Sequence, residues 1–384
     1  MIDLFIQRYD RNLLVFLCIL TIIGTVMLYS ASWYESFSSS NGRTDMLFLQ
    51  NHLKRLLVGV FFLFGFLTID YRKLKEIAPY LIALSIILLI VTKLYYLGKG
   101  YSWYKPARWL YVGFFSIQTS DIARFSVILY MAYYADKKRN KLKDFQLGLL
   151  PALGILSLIM TLIIIQPDYS TALMIGAIGV LILFIGGSSL SQLSAAGACA
   201  MLVGIPVLLS REYRKQRFLS WLGIGDNTEI GYQANQSLIS LGNGGVFGVG
   251  LGNSIEKNHF LPTPHTDFIF AIIGEELGFV IGTVPVLTLF LLIFIRGLKI
   301  AKNCTDPFGI FLAIGIVFNL VLYAFVNAAV VTGIFPVTGL PMPMVSYGGS
   351  GMVVNMAMMG ILLNISQSRR SVGNKKGWSP VLRG

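Results

Sequence analysis

Between residues 12 and 366 the chain is a succession of apolar runs separated by short polar breaks. A bilayer core takes about 20 apolar residues per helix, and within it every backbone N–H and C=O must be bonded inside the chain. The runs predict ten spans: 12–32, 55–69, 77–97, 119–135, 147–165, 171–187, 190–210, 267–295, 308–332 and 347–366. The expected fold class is an all-α polytopic membrane protein, one transmembrane domain over residues 1–384. The first run is as long as a span and lacks a small-residue cleavage site, so it reads as span one, not as a cleaved signal. With 55% hydrophobic and only 13% charged residues, neither a string of soluble domains nor a disordered chain fits.

Lys and Arg set the orientation, because they gather on cytoplasmic loops. An N-terminus inside places eighteen of the 31 on the cytoplasmic side, among them Arg8 and Arg11, Arg72, Lys73 and Lys75, the "DKKRNKLKD" run, Arg296, Lys299 and Lys302, and Lys375, Lys376 and Arg383. Ten spans return the C-terminus to that side. One long connection, about 211–266 between spans seven and eight, falls outside. The net charge of +13 therefore reads as anchoring beside anionic lipid, and a nucleic-acid partner is not expected. Cys18, Cys199 and Cys304 have no metal-ligand or disulfide spacing and read as packing residues.

Motifs of soluble chemistry are missing. "GNGGVFGVGLG" (242–252) lacks the dinucleotide register, no P-loop occurs, and "YGGSG" (347–351) fails the spacing of a hydrolase elbow. His259 and His265 stand too far apart for two zinc ligands on one helical face. The carboxylates say more. Thirteen of the 18 fall in termini, loops and span edges, Glu256 and Asp306 among them, where solvated or turn roles suffice. Five lie in or at the edge of a span, where an ionisable group suggests function: Asp121, Asp168, Asp267, Glu275 and Glu276.

Each of the five also has a plainer reading. Thr266 suits an N-cap, with Asp267 in the first turn of span eight as a dipole-stabilising carboxylate. At helical spacing Asp267 shares its face with Ala271, Gly274 and Gly278, small enough for a neighbouring helix or a lipid chain to approach. Glu275 and Glu276 lie about 80° and about 180° round the helix from Asp267, and a cation on another helix is expected to pair with at least one. Asp121 and Arg124 can neutralise each other at i,i+3. Arg108 is a free cation on the outside, and Asp168 reads as a turn residue.

Several segments together resemble the SEDS family, the FtsW/RodA-type peptidoglycan glycosyltransferases. They include "VMLYSAS" (26–32), "ARWLYVGFFSIQTSD" (107–121), "QPDYSTA" (166–172), "YQANQSLISLGNGGVFGVGLGNS" (232–254), "LPTPHTDFIFAIIGEELGF" (261–279) and "TGLPMPMVSYGGSG" (338–351). "GVGLGNSIEKNHFLP" and "DPFGIFLAIGI" look more like the division type than the elongation type. The resemblance implies polymerisation of lipid II, a disaccharide–pentapeptide on polyprenyl pyrophosphate, at the outer face of the bacterial cytoplasmic membrane. It implies a class B penicillin-binding protein as partner, alongside other division or elongation proteins. It also makes Asp267 of "HTDF" the catalytic group, with Arg108, Asp121, Arg124, His265, Thr266, Glu275 and Ser346 near the substrate.

A carboxylate is a competent general base for a sugar hydroxyl, and a cation such as Arg108 can steady the departing pyrophosphate. No cofactor is expected; a divalent cation on the pyrophosphate is compatible, but no ligand cluster demands one. The chain departs from the family's usual "QPSE-x-x-K" at Thr119, Asp121 and Arg124, keeping charge signs but changing reach. "PDYST" likewise departs from the commoner "PDLGT". Two rival readings stay open: a lipid II flippase or other transporter with carboxylates along its path, and a non-catalytic division scaffold.

Overall fold

The computed structural model describes residues 9–371 except 103–106, 113–114, 211, 225–228 and 259. Arg8, His259, Lys375, Lys376 and Arg383 lie outside the described residues. In chain order the helices are α1 (Arg11–Ser39), α2 (Leu47–Thr68), α3 (Leu74–Gly98), α4 (Thr119–Lys137), α5 (Leu150–Ile165), α6 (Tyr169–Ile185), α7 (Leu190–Leu209), α8 (Glu212–Trp221), α9 (Glu229–Gly244), α10 (Ile269–Gly278), α11 (Val284–Asn303), α12 (Pro307–Val331) and α13 (Ser350–Ser371). A hairpin of β1 (Trp109–Val112) and β2 (Phe115–Gln118) precedes α4, pairing antiparallel with Trp109 opposite Gln118.

Each of the ten predicted spans falls on helix. Among the described residues seven segments are long and apolar enough to cross a membrane: Arg11–Ser39, Leu47–Thr68, Tyr71–Gly98, Phe145–Ile165, Leu190–Val207, Ile269–Asn303 and Pro307–Val331. The other three fall short for visible reasons. Tyr169–Ile185 is apolar but brief, α4 opens on Thr119, Ser120, Asp121 and Arg124, and α13 carries Ser350, Asn355, Asn364 and Gln367.

α13 runs along α2, α3 against α4, and α11 against α12, while α12 also meets α4 and α6. Small residues allow the closest approaches: a Cβ on Gly360 of α13 would stand 2.3 Å from the Leu63 carbonyl of α2. α7 is the exception. Met201, Leu202 and Val203 are all largely exposed along it, as suits a helix facing lipid. Cys18 and Cys199 also face outward, and only Cys304 is buried; the packing role expected of all three holds for Cys304.

At one end of the bundle carboxylates cap helix starts by accepting orphan N–H groups. Asp10 accepts from Leu13, Asp70 from Arg72, Asp144 from Gln146 and Leu147, and Asp306 from Gly309. Asp10 also pairs with Arg296 at 2.7 Å, and Asp136 with Lys75. The opposite end carries the hairpin, the long connection and the loops described next.

The α10–α11 segment is a broken helix. Gly278 takes a φ of +74°, a region that only glycine enters freely, and a π-helical turn, Phe279–Thr283, follows. The break strands backbone groups, and the glycine-rich segment satisfies them. Val249 and Gly250 donate to the carbonyls of Glu275 and Glu276, while Phe279 and Val280 donate to those of Gly245 and Val246. This is what "GNGGVFGVGLG" does. Its glycines let backbone lie against backbone, and Gly244 and Gly248 sit where a Cβ would enter the α10 main chain. Broken helices near a ligand site are tolerated only when the freed groups are re-bonded in this way.

Candidate functional site

A polar cavity of about 260 Å³ opens at the hairpin end of the bundle. Its walls come from six places in the sequence: Arg108 and Trp109 at the hairpin's start, Gln118 at its end, Asp121 and Arg124 on the first turns of α4, Asp168 before α6, Thr266 and Asp267 before α10, and the 339–351 loop with Ser346. Tyr323 of α12 and Asn355 of α13 complete it. A larger apolar groove, about 400 Å³, runs beside the helix break between Phe279, Leu291 and Phe325, and no ionisable side chain lines it. The ionisable side chains gather at the smaller, polar cavity.

Two of the cavity's three carboxylates are neutralised. Asp121 meets Arg124 at 3.2 Å, the expected i,i+3 pair, and accepts from Ser350 Oγ at 2.7 Å. Arg124 is buried, donates to Asn355 Oδ1 at 3.1 Å and lies over the Tyr323 ring. Asp168 lies 3.7 Å from Arg108 and accepts from Gln118 and Ser120 at 3.3 and 3.4 Å. Arg108 also donates to the Pro167 carbonyl. It is therefore not the free cation expected, and Asp168 is no simple turn residue: it is a buried wall of the cavity.

Asp267 is the third, and it differs. Among the described residues none donates a hydrogen bond to its carboxylate. Burial pushes its pKa above the ordinary carboxylate value, while the charges of Arg217, Arg108 and His265 pull the other way. The first-turn, dipole-stabilising place expected for Asp267 is not the one it takes. α10 begins at Ile269 behind Phe268, so Asp267 sits ahead of the helix, not in its first turn. Thr266 is accordingly no N-cap; its hydroxyl donates to the Thr263 carbonyl at 3.1 Å. The main chain at Asp267 is held by Asn327 of α12, whose amide donates to the carbonyls of Asp267 at 2.7 Å and Leu340 at 2.8 Å. Gly339, at φ +70°, lies so close that a Cβ there would stand 3.4 Å from Asp267 Oδ2.

Of the residues expected near the substrate, Arg108, Asp121, Arg124, Thr266 and Ser346 line this cavity with Asp267. The Ser346 hydroxyl accepts from the Met342 amide at 2.8 Å and closes the loop's turn. His265 and Glu275 are not among the lining residues. His265 is buried between the rings of Phe48 and Tyr347, with Nδ1 3.1 Å from Glu35, and its carbonyl accepts from the Tyr347 amide. It wedges the Asp267 turn against α1 and α2.

Glu275 is spent elsewhere, on Ser240 at 2.9 Å, Ser254 at 2.6 Å and the amide of Ile255 at 3.0 Å. Glu276 takes the expected cation from the loop, where Lys257 stands at 2.7 Å, and not from a helix. The small face at Gly274 meets α9, with Leu241 filling the space a Cβ would need. Glu256, read as solvated, is buried, and burial, then Glu275, raises its pKa.

Reading the sequence alone misses Arg217, which α8 brings close enough for its charge to reach Asp267; it donates to the Val337 carbonyl at 3.1 Å. Nothing in the chain separates Arg217 from any other basic loop residue. Asn327 and Asn355 did carry a signal, as amides inside apolar spans. Among the described residues no three His, Cys, Asp or Glu side chains converge as a metal site.

The family model for FtsW, RodA and SpoVE, described as a cell cycle protein, matches residues 10–371. The chain is similar to the probable peptidoglycan glycosyltransferase FtsW of Geobacter sulfurreducens, 38% identical over 369 residues that cover 94% of this chain and 96% of the other. It is also similar to stage V sporulation protein E of Bacillus subtilis, 34% identical over 94% of this chain and 98% of that one. In structure it is similar to a chain described in work on structural coordination of polymerization and crosslinking by a peptidoglycan synthase complex, with a TM-score of 0.76, 23% identity, and 95% and 99% of the two chains covered. A second structural relative is the rod shape determining protein RodA of Thermus thermophilus, with a TM-score of 0.67, 23% identity, and 95% and 98% covered.

Proposed function

The chain belongs to the FtsW, RodA and SpoVE family of cell cycle proteins, and from that premise and the geometry around Asp267 we propose that it is a peptidoglycan glycosyltransferase. It is a multi-pass protein of the bacterial cytoplasmic membrane and polymerises lipid II at the outer face, with a role in division favoured by the FtsW and SpoVE names of its relatives.

One observation carries the catalytic assignment. Asp267 opens onto a polar cavity with no hydrogen-bond donor among the described residues, while Asp121 and Asp168 beside it are held by arginines. A base must have a lone pair to give. Asp267 takes the proton from the acceptor sugar hydroxyl as that oxygen attacks the anomeric carbon of the donor. The polyprenyl pyrophosphate leaves from the opposite side, and Arg108 and Arg217 balance its charge. Arg124 and Asp121 shape the cavity wall. Any divalent cation would ride on the pyrophosphate.

All ten helical segments cross the bilayer as one domain in this reading, with both termini inside and the 211–266 connection outside. The basic capped end, with Arg296 and Lys75, supports that orientation. A class B penicillin-binding protein is the proposed partner, since cross-linking needs a transpeptidase, and other division proteins and membrane lipids complete its surroundings.

The test uses purified protein with that partner and lipid II in liposomes, scoring glycan chains on a gel. Wild type yields polymer and Asp267→Asn yields little. Normal polymerisation by folded Asp267→Asn sinks the catalytic assignment. No polymer, but movement of labelled lipid II across the bilayer, replaces it with the transporter reading; neither activity leaves the scaffold.

A further inference from the structure

The most thoroughly buried ion pair among the described residues is not in the cavity. Lys257 Nζ lies 2.7 Å from Glu276 Oε1, with side-chain exposures of 1% and 0%. It also donates to the Gly252 carbonyl at 2.7 Å and to Ser30 Oγ of α1 at 3.2 Å. Ser30 in turn donates to the Glu276 carboxylate at 2.7 Å. The pair joins two points of one chain, and Asp267 sits between them, ten residues after Lys257 and nine before Glu276.

We propose that the Lys257–Glu276 ion pair is a staple that closes the base of the segment bearing Asp267, and that both are positioning residues for it. The inference rests on the reading of Asp267 as the general base. Stability does not account for the pair, because a buried ion pair is no more stabilising than apolar side chains of similar volume. It supplies a fixed separation instead. Three directed partners hold the ammonium, and the carboxylate it meets is anchored to α1 through Ser30, so the two strands of the segment cannot slide past one another.

The far side of the segment is fixed separately, by Asn327 at the Asp267 carbonyl and by the ring stack around His265. Together these leave the Asp267 main chain tied at its centre and at its base, while no described residue donates to its carboxylate. Such an arrangement suits a base that must be held to within a fraction of an ångström yet remain available.

The double variant Lys257→Met/Glu276→Met removes both charges and fills the space. Its thermal unfolding should match wild type in detergent. Amide exchange over residues 260–268 should quicken by about tenfold or more. With partner and lipid II, kcat should fall about ten- to hundredfold, while KM stays within about threefold. A folded double variant with wild-type exchange and wild-type kcat overturns the proposal.

If the double variant does not fold, Ser30→Ala decides, since it keeps both charges and removes only their bridge. Faster exchange over 260–268 with lower kcat supports the staple, and wild-type values for both overturn it. Exchange is read without substrate. A wild-type protein that makes no polymer would therefore end the glycosyltransferase reading while exchange still decides the staple.

Discussion

Asp267 and the Glu275–Glu276 pair share one short segment of chain, yet their carboxylates lead opposite lives. Glu275 accepts from two hydroxyls and a main-chain amide, and Glu276 from Lys257 and Ser30. Asp267, beside a cavity, accepts from none of the described residues. Donors make the two glutamates part of the structure, whereas burial without a donor raises the affinity of Asp267 for a proton. The glutamates are buried and Asp267 is half-buried, and the count of donors separates them further.

The contrast can be broken most sharply at Asp267. Asp267→Asn keeps size and main-chain bonds but removes the base, so lipid II polymerisation should drop by about 10²- to 10⁴-fold with thermal unfolding unchanged. Arg217→Ala comes next. Loss of the cation proposed to balance the departing pyrophosphate should slow single-turnover polymerisation by about tenfold or more, and a rate within twofold of wild type would remove Arg217 from the site. Asp121→Ala and Arg124→Ala should each cost less than Asp267→Asn; a larger loss at either would move the reacting centre to α4. Glu275→Gln should have the smallest effect on rate. It should instead lower stability by about 1–3 kcal/mol, read as a lower unfolding temperature.

Much of this architecture was legible beforehand, because the bilayer demands long apolar helices and punishes exceptions. All ten runs fall on helix, and Asp121 and Arg124 pair as their spacing allows. Local pattern failed where distant elements decide the outcome. Asp168 follows a proline and looks like a turn, and Arg108, 60 residues earlier in the chain, with Gln118 and Ser120, makes it part of a cavity wall. Glu275 sits well inside an apolar run, as a substrate ligand would, but loop residues Ser254 and Ile255 claim it. Arg217 gave no sign of itself, since a helix in a long connection carries no mark of what it will face. The residues around Asp267 were found by family likeness; its lack of donors needed coordinates.

The most direct test is the pH dependence of kcat/KM for lipid II polymerisation in wild type, Arg217→Ala and Glu275→Gln. A general base works only when ionised, so activity is lost as pH falls through its pKa. Burial raises the pKa of Asp267 and Arg217 opposes that rise. The wild-type acid limb should therefore lie above the ordinary carboxylate range, move to still higher pH in Arg217→Ala, and stay in place in Glu275→Gln. An acid limb indifferent to Arg217, or one that moves with Glu275, would contradict the assignment of Asp267 as the base.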